Sequence, residues 1–499
     1  MSFKSWVAKL LANKVVRKVT ALHVKAEISQ KQLLVDLINY SKGTQFGKDH
    51  HFEKIIDFES FKTQVPVRDY EALKNYANRV VAGESDVLYP GKPVYFAKTS
   101  GTTSGSKYIP ITKDSIKTHI AAARNALLYH IYNTGNSDFV NGKMIFLQGS
   151  PELEKSNGIL IGRLSGIVYH HVPNYLLKNR LPGYTTNCIN DWEEKVDAVV
   201  EETIGENMTL ISGIPPWVIM YFEKLRDKSG GKKIIEIFPN LSLFIHGGVN
   251  FAPYESQIVE LIGKRIPMIE TFPASEGFFA FQNNDKDDGL LLNLEGKMFY
   301  EFIPVESLGN DVPTRIPLWE VELNINYALV VTSNAGLWAY NVGDTVKFVS
   351  LNPYKIRVTG RTKHFLSAFG EHVIGEEVTK AMQQACAQCN AIVKEFHVAP
   401  FISEQGQKSS YHEWFVEFVS PPESLIEFVQ KLDNAMCQQN EYYKDLVEGQ
   451  LLQPLKLSQL QANGFKNYQK SIGKLGGQNK VGRLANGRDV ANQLQPWLV

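Results

Sequence analysis

The sequence is poor in cysteine, with only four in 499 residues. Cys188, Cys386, Cys389 and Cys437 are too few and too scattered to build a disulfide framework in a chain of this size. Cys386 and Cys389 form a C-x-x-C pair, but the surrounding "EEVTKAMQQACAQCNA" has helical spacing and no second pair follows. We therefore interpret the pair as packing residues and expect no metal site there. This cysteine usage fits a reducing cytoplasm.

The sequence also lacks an excess of charge of either sign. Lys and Arg number 53 and Asp and Glu 52, which gives a formal net charge of +1. Such a chain has no overall field that attracts nucleic acid or an anionic membrane, and we expect neither partner. Nor does any apolar run reach the length of a membrane span. At this length we expect at least two domains.

The N-terminal segment, "MSFKSWVAKLLANKVVRKVTALHV", mixes apolar and basic residues at helical spacing. Its large apolar residues are predicted to share one face, with basic residues between them: Phe3, Trp6, Val7, Leu10, Leu11, Val15, Val19 and Leu22, against Lys4, Lys9, Lys14, Arg17 and Lys18. It lacks the continuous apolar core of a signal peptide. A basic amphipathic helix can lie on a membrane, but more often it covers a domain core. We favour packing and expect no stable membrane association.

The stretch "AKTSGTTSGSKYIPIT", from Ala97 to Thr112, is rich in Ser, Thr and Gly and carries a lysine at its end. Such a loop can fold its backbone closely around phosphate, although most loops of this composition are flexible connections. It lacks the Gly-Lys-Ser/Thr ending of a Walker loop. The apolar segments on either side predict a hairpin, and Thr112 is a candidate N-cap for the helical pattern that follows.

The order of predicted elements changes near residue 360. Up to that point strand-like runs such as "KMIFLQG" and "LSLFIHGG" alternate with helical periods, which indicates sheets covered by helices. After "IRVTGRTKHF" the pattern restarts as an independent small α+β unit. We predict a boundary near Arg361 to Lys363, with domains at 1–362 and 363–499.

Four further segments contain residues suited to nucleotide chemistry. Gly247–Gly248 in "FIHGGVNFAPY" would let the backbone lie flat against a planar ring. Glu276 follows Ser275 in "ETFPASEGFFA", and Asp344 in "LWAYNVGDTVKF" could accept both hydroxyls of a ribose. Lys480 lies in the glycine-rich "GGQNKVGRLANG". Each element alone is common in proteins, and their order along the chain carries the information.

In this order the segments resemble the adenylate-forming superfamily of acyl-CoA synthetases, luciferases and peptide-synthetase adenylation domains. "TSGTTSGSK" resembles its phosphate loop, "TFPASEG" its aromatic-x-x-Ser/Thr-Glu element, "YNVGD" its Tyr-x-x-Gly-Asp element and "GRTKHFLSAFGEHVIGEEV" its hinge segment. Within the superfamily, "GRTKHFLSAFGEHV" and the ending "QNKVGRL" are most similar to the auxin-responsive acyl-acid amido synthetases of plants and their bacterial relatives.

The resemblance implies an α/β fold with a large N-terminal domain of helix-flanked sheets that includes a β-barrel-like part, and a small mobile α+β C-terminal domain. It implies that ATP activates a carboxylic acid to an acyl-adenylate, and that an amino-acid amine then attacks to give an amide and AMP. A small carboxylic acid and an amino acid would be the substrates. A carboxylate that attacks an α-phosphate brings two negative groups together, so positioning and electrostatic stabilisation must carry the catalysis.

The resemblance also assigns roles to individual residues. Lys480 and Glu276 would be catalytic, Glu276 would hold Mg²⁺, and Lys363 would be the hinge. The residues expected to bind ATP are Thr99, Ser100, Gly101, Thr102, Thr103, Gly105, Lys107, Gly247, Gly248, Phe272, Ser275, Asp344 and Arg361. The chain departs from the family at Phe272, where Tyr is usual, at Asn341, where Arg is frequent, and at Gly482, where Pro is frequent.

Two alternative functions remain open from the sequence. An acyl-CoA synthetase shares the first half-reaction and differs in the acceptor, and an inactive nucleotide-binding module could use the same fold.

Five aromatic or imidazole side chains could line an acyl pocket, although we expect most of them to pack in the core: Tyr129, His130, Tyr132, Trp217 and Tyr221.

Overall fold

The structure is a computed structural model. It describes residues 3–99, 107–172, 177–189, 191–249, 251–284, 289–308, 310, 312–362, 365–366, 373–402, 410–448, 452–473, 481–485 and 487–499.

The α-helices of the described residues are Phe3–Val24, Ala26–Ser41, Gln45–Asp49, Phe58–Gln64, Tyr70–Val81, Lys113–Thr134, Leu164–Tyr169, Tyr184–Asn187, Trp192–Thr203, Pro215–Lys228, Ile234–Ile237, Ala252–Ile262, Gly375–Cys389, Leu425–Gln439, Glu441–Glu448, Gly464–Ser471 and Asp489–Leu494. Thr112 caps the helix that follows it, because its hydroxyl accepts the Ser115 amide while the Ser115 hydroxyl accepts the Thr112 amide. The predicted N-cap is confirmed.

The strands are β1 Tyr95–Thr99, β2 Lys107–Ile111, β3 Lys143–Phe146, β4 Glu154–Ser156, β5 Ile159–Gly162, β6 Arg180–Leu181, β7 Met208–Ser212, β8 Leu243–Gly247, β9 Met268–Pro273, β10 Phe278–Phe281, β11 Leu290–Leu292, β12 Met298–Pro304, β13 Ile316–Pro317, β14 Asn326–Ser333, β15 Tyr340–Leu351, β16 Tyr354–Arg361, β17 Phe365–Leu366, β18 Val373–Ile374, β19 Ile392–Phe401, β20 Tyr411–Ser420 and β21 Lys456–Leu460.

A twelve-stranded mixed sheet dominates the fold, in the order β13-β12-β14-β15-β16-β11-β10-β9-β8-β7-β3-β6. The run from β6 to β9 is parallel, whereas β10 and β11 pair antiparallel with their neighbours. A smaller sheet has the order β2-β1-β5-β4. Parallel strands joined through helices confirm the predicted α/β class, while the barrel-like part stays a prediction.

The described chain divides into two compact units. The first comprises residues 1–251, 255–342 and 346–357, and the second comprises 252–254, 343–345 and 358–499. The second unit contains the sheet β19-β20-β21 and the helices after residue 374, as the α+β pattern predicts. The domain limits 1–362 and 363–499 stay a prediction, since Lys363 lies outside the described residues.

The first helix, Phe3–Val24, forms as predicted, but the predicted buried face is wrong in its first half. Its buried apolar positions are Ala12, Val15, Val16 and Val19, in one core with the helix Lys113–Thr134. The larger side chains of Trp6, Val7, Leu10 and Leu11 stay 53, 42, 53 and 39 % exposed. The small Ala8 and Ala12 let the two helices approach closely, and this selects the face that packs.

The cysteine pair lies on the helix Gly375–Cys389, where Cys386 and Cys389 pack against the core of the second unit. Burial raises the pKa of the Cys386 thiol to about 11. All four cysteines are free thiols, and the packing interpretation of the pair is confirmed. Across the residues that the structure describes, the helices are too short or too polar to traverse a bilayer.

Candidate active site

The predicted phosphate loop connects two paired strands. β1 and β2 are antiparallel, and Thr99 opposite Lys107 is the last pair before the loop, which confirms the hairpin. Ser100, Gly101, Thr102, Thr103 and Gly105 lie outside the described residues. The Tyr108 amide donates to the Tyr70 hydroxyl at 2.9 Å, and the Lys107 ammonium lies 5.7 Å from the centre of the Tyr70 ring. Tyr70 therefore positions the lysine end of the loop.

Gly247 is the last residue of β8, which runs parallel to β9, and Gly248 follows it. A Cβ at Gly247 would collide with the carbonyl oxygen and the hydroxyl of Thr271, its partner on β9. Gly248 has φ +81°, in the left-handed region that favours glycine. The backbone itself therefore requires glycine at both positions, at Gly247 because of its close approach to β9 and at Gly248 because of its positive φ.

The segment "TFPASEG" forms the turn between β9 and β10. The Ala274 amide donates to the Gly277 carbonyl at 2.8 Å, which closes the turn around Ser275 and Glu276. Phe272 is buried and packs edge-to-face on Phe279, with ring centres 5.1 Å apart. Ser275 and Glu276 are half-buried. The turn thus presents a carboxylate at a fixed strand end.

Tyr340 connects the carboxylate to the hairpin side of the unit. Its hydroxyl donates to Glu276 Oε1 at 3.5 Å, and the side chain is buried. Burial, and next the negative charge of Glu276, raise the pKa of Tyr340 well above its usual range, with smaller contributions from Asp69 and Tyr70. Tyr340 therefore remains a neutral donor. The backbone of Arg68, two residues before Tyr70, is hydrogen-bonded to the residues on either side of Tyr340. The first unit therefore brings Lys107 and Glu276 into one region.

Asp344 and Arg361, both predicted at the ribose, are in contact in the second unit. Asp344 Oδ1 lies 2.9 Å from Arg361 Nε, and the two side chains are 15 and 55 % exposed. The preceding Gly343 has φ +89°, and its carbonyl accepts the Thr362 amide at 2.8 Å. This turn holds the carboxylate toward the arginine. The mostly buried Asp344 carboxylate is thus held by Arg361, whose side chain extends into solvent.

The C-terminal segment 481–485 is attached to β19. The Val398 amide donates to the Arg483 carbonyl at 2.8 Å, and the Ala485 amide donates to the Val398 carbonyl at 3.0 Å. His397 Nδ1 is hydrogen-bonded to the Gly482 carbonyl. These contacts fix the residues that directly follow Lys480 in sequence. Lys480 itself lies outside the described residues.

A largely buried ion pair, whose two side chains are 15 and 17 % exposed, reinforces this attachment. Arg483 Nε lies 3.0 Å from Glu395 Oε1, and the Tyr254 hydroxyl donates to Glu395 Oε2 at 2.7 Å. The guanidinium also lies over the rings of Tyr254 and Phe396, 5.4 and 5.0 Å from their centres. Burial and the Glu395 charge raise the pKa of Tyr254, so its hydroxyl donates. Arg483 is therefore held by charge, hydrogen bonding and stacking together.

Most of the candidate acyl-pocket side chains pack in the core. Trp217 packs on Trp192 with ring centres 4.5 Å apart, and Tyr221 is fully buried with its hydroxyl on Thr203. Tyr129 is buried against Phe281. Packing is confirmed for these three. His130 is half-buried beside Phe139, and Tyr132 is 49 % exposed.

Four residues that hold these segments together were not predicted from the sequence: Tyr70, Tyr340, Tyr254 and Arg483. Tyr340 is the first letter of "YNVGD" and Arg483 lies in "QNKVGRL", so both were within quoted motifs. Tyr254 is the last residue of "FIHGGVNFAPY", and Tyr70 lies in none of these segments. Among the residues that the structure describes, no three His, Cys, Asp or Glu side chains gather in a metal-binding group.

Comparison with known proteins identifies relatives along most of the chain. Models of the GH3 family match its N-terminal domain to residues 15–182, its central domain to 291–361 and its C-terminal domain to 376–489. The jasmonoyl-L-amino acid synthetase JAR4 of Nicotiana attenuata is 23% identical over 403 residues, which cover 67% of this chain and 68% of that protein. The indole-3-acetic acid-amido synthetase GH3.15 of Arabidopsis thaliana is 23% identical over 415 residues, which cover 66% and 67%.

Solved structures share the fold. The GH3.15 acyl acid amido synthetase superposes with a TM-score of 0.79 over 97% of this chain and 96% of that chain, at 14% identity. A 2-hydroxyisobutyryl-CoA ligase in the postadenylation state has a TM-score of 0.60 over 93% and 91%, also at 14% identity. At such low identity these matches establish the architecture alone.

Proposed function

The chain belongs to the GH3 family, and we propose on this basis that it is an ATP-dependent acyl acid amido synthetase. It would join a carboxylic acid to ATP, with release of pyrophosphate, and then transfer the acyl group from the acyl-adenylate to the amine of an amino acid. The amine would replace AMP at the acyl carbon and lose a proton. The relatives with amido synthetase names support this reaction class.

The observation that carries the proposal is the grouping of Lys107, Tyr70, Tyr340 and Glu276 in one compact unit. A cation at the end of the phosphate loop and a carboxylate at a strand end are the two charges that a metal–triphosphate complex requires. Buried phenol side chains position both charges. If Glu276 and Tyr340 only filled space, a half-buried carboxylate beside a buried hydroxyl would not be needed, because burial of a charge is costly.

The donor set fits Mg²⁺, which keeps few protein ligands and takes phosphate oxygens and water for the rest. Glu276 would hold the ion, which when bound would neutralise charge on the phosphates. The Tyr340 hydroxyl would orient the carboxylate. Backbone amides of the loop at 100–105 would hold the β- and γ-phosphates of ATP, with Lys107 at the edge, and Asp344 with Arg361 would bind the ribose.

We propose that Lys480 neutralises the acyl carboxylate as it meets the α-phosphate, and that the C-terminal domain swings on Lys363 to deliver it. One pocket must stabilise two different transition states, and a moving domain can supply different groups to each. The anchoring of residues 482–485 on β19 supports this role, because it would hold the chain just behind Lys480 on a rigid strand. We also propose a cytoplasmic location, supported by the free thiols.

The test is acid-dependent exchange of pyrophosphate into ATP across a panel of carboxylic acids. An active acid is then offered with each amino acid, or with CoA, and products are identified by mass spectrometry. An amide product supports the proposal, and a thioester product instead would make the chain an acyl-CoA synthetase, an activity for which the same fold is known. No exchange with any acid, in protein that binds ATP, would indicate an inactive nucleotide-binding module.

A further inference from the structure

The first helix has two different apolar faces. The face with Ala12, Val15, Val16 and Val19 is packed into the core. On the opposite side Trp6, Val7, Leu10 and Leu11, which we call the outer face, are 53, 42, 53 and 39 % exposed. Leu10 and Leu11 lie one turn after Trp6 and Val7, so the four side chains form one continuous patch. Because the inner face is fixed, the helix presents this patch rigidly.

The charge on the helix itself has a single sign. Between Phe3 and Val24 the helix carries five Lys or Arg residues and no Asp or Glu. Lys18 pairs with Glu295 at 2.6 Å, whereas Lys4, Lys14 and Arg17 are exposed. Lys14 lies one turn after Leu10 and Arg17 two turns after it, on the same side of the helix. Cations therefore flank the apolar patch at both ends.

We propose that the outer face binds the surface of a bilayer that contains anionic lipid, with the helix parallel to that surface. Tryptophan and leucine would enter the boundary between headgroups and acyl chains, while the flanking cations would contact lipid phosphates and carboxylates. Binding would be peripheral and reversible, because the patch is short and the inner face stays packed. The near-zero net charge of the whole chain conceals this local basic surface.

A second copy of the chain fits the outer face less well. The four side chains expose on the order of 400 Å², about half of what each partner buries in a standard protein interface. A dimer through this patch would also place two helices that each carry five cations and no acidic residue against each other, and like charges across an interface oppose association. A bilayer with anionic lipid has the complementary charge and requires no matching shape.

The proposal is tested by vesicle flotation of the full-length protein. Vesicles contain phosphatidylcholine alone or a mixture with phosphatidylserine, at low and high salt. We expect flotation with the mixed vesicles, reduced by salt. Leu10→Gln with Leu11→Gln should lower the partition coefficient by about tenfold or more. Lys14→Gln with Arg17→Gln should reduce the dependence on phosphatidylserine, because two of the five cations of the helix are removed. Ile56→Gln, at another exposed apolar position, is the matched control and should float like the parent.

Because all these side chains are exposed, each variant should unfold at the parental midpoint, which separates loss of binding from loss of fold. Three results would overturn the proposal. The first is no flotation with either vesicle, and the second is equal flotation of the parent and the leucine variant. The third is a concentration-dependent dimer, seen by light scattering, that the leucine variant abolishes, since this would make the outer face an interface between copies. Catalytic activity enters none of these measurements, so the outcome is independent of the proposed function.

Discussion

Replacement of Arg483 by Met tests whether the attachment behind Lys480 serves catalysis. The substitution keeps an unbranched apolar side chain of similar reach and removes the guanidinium that lies 3.0 Å from Glu395. Removal of one partner from a buried ion pair costs about 3–5 kcal/mol. Glu395 would keep the Tyr254 hydroxyl and the Phe396 amide as donors, and both charged side chains are partly exposed. We therefore expect a loss near the lower limit, about 3 kcal/mol.

The kinetic effect should differ between the two half-reactions. If residues 482–485 hold Lys480 within reach of the reacting groups, a displacement of Lys480 by about 1 Å should slow adenylation by roughly tenfold to a hundredfold. Aminolysis of a supplied acyl-adenylate should change much less, because Lys480 is proposed to act only in the first step. Pyrophosphate exchange measures the first step, and amide release from synthetic acyl-adenylate measures the second. Denaturant unfolding measures the stability loss, and only conditions where the variant is fully folded are compared.

Two controls make the result specific. Tyr254→Phe removes a hydroxyl but neither charge of the ion pair, and it should cost about 2 kcal/mol with a smaller effect on exchange. Arg483→Met in a Lys480→Ala background should lower exchange no further, since both changes would act through the same group. The reasoning is refuted if Arg483→Met slows both half-reactions by one common factor, or if the two substitutions are fully additive.

Four further predictions address the site and the core. Glu276→Gln should lower turnover and raise the magnesium concentration needed for half-maximal exchange, since a hard anionic ligand becomes a neutral amide; unchanged metal dependence would exclude Glu276 as the ligand. Asp344→Ala should weaken ATP binding about tenfold or more in calorimetry, with the unfolding midpoint preserved; equal affinity would remove Asp344 from the ribose site. Lys480→Ala should nearly abolish acyl-adenylate formation while aminolysis survives, and a parental adenylation rate would exclude its catalytic role. Burial lowers the pKa of His119 from 6.5 to about 4. At a pH between these values the imidazole is protonated in the unfolded state but neutral in the folded state, so the free energy of unfolding falls as the pH drops. Between pH 7 and 5 the free energy of unfolding of His119→Gln should therefore fall by about 2 kcal/mol less than that of the parent, as measured in denaturant titrations. Identical losses would argue against a lowered pKa of His119 in the folded state.

Local chemistry in the sequence determined the elements around the candidate site. The loop between two apolar runs predicts the hairpin of β1 and β2, and Thr112 with Ser115 predicts the start of the next helix, because both depend on neighbours a few residues away. The motif order identified the family without any tertiary information. The sequence indicated Gly247 and Gly248 for their backbone freedom. In the structure a Cβ at Gly247 would collide with Thr271, and Gly248 has a positive φ.

The contacts between distant segments required the tertiary structure. Tyr340 and Glu276 are 64 residues apart, and Tyr254 and Glu395 are 141 apart, so no spacing rule relates them. The packed face of the first helix also depended on its neighbour: apolar residues surround more than half of the helix, and the close approach of Lys113–Thr134 favoured the side with small alanines. Periodicity limits which faces can be buried, and only the shape of the surface that a helix meets decides which one is.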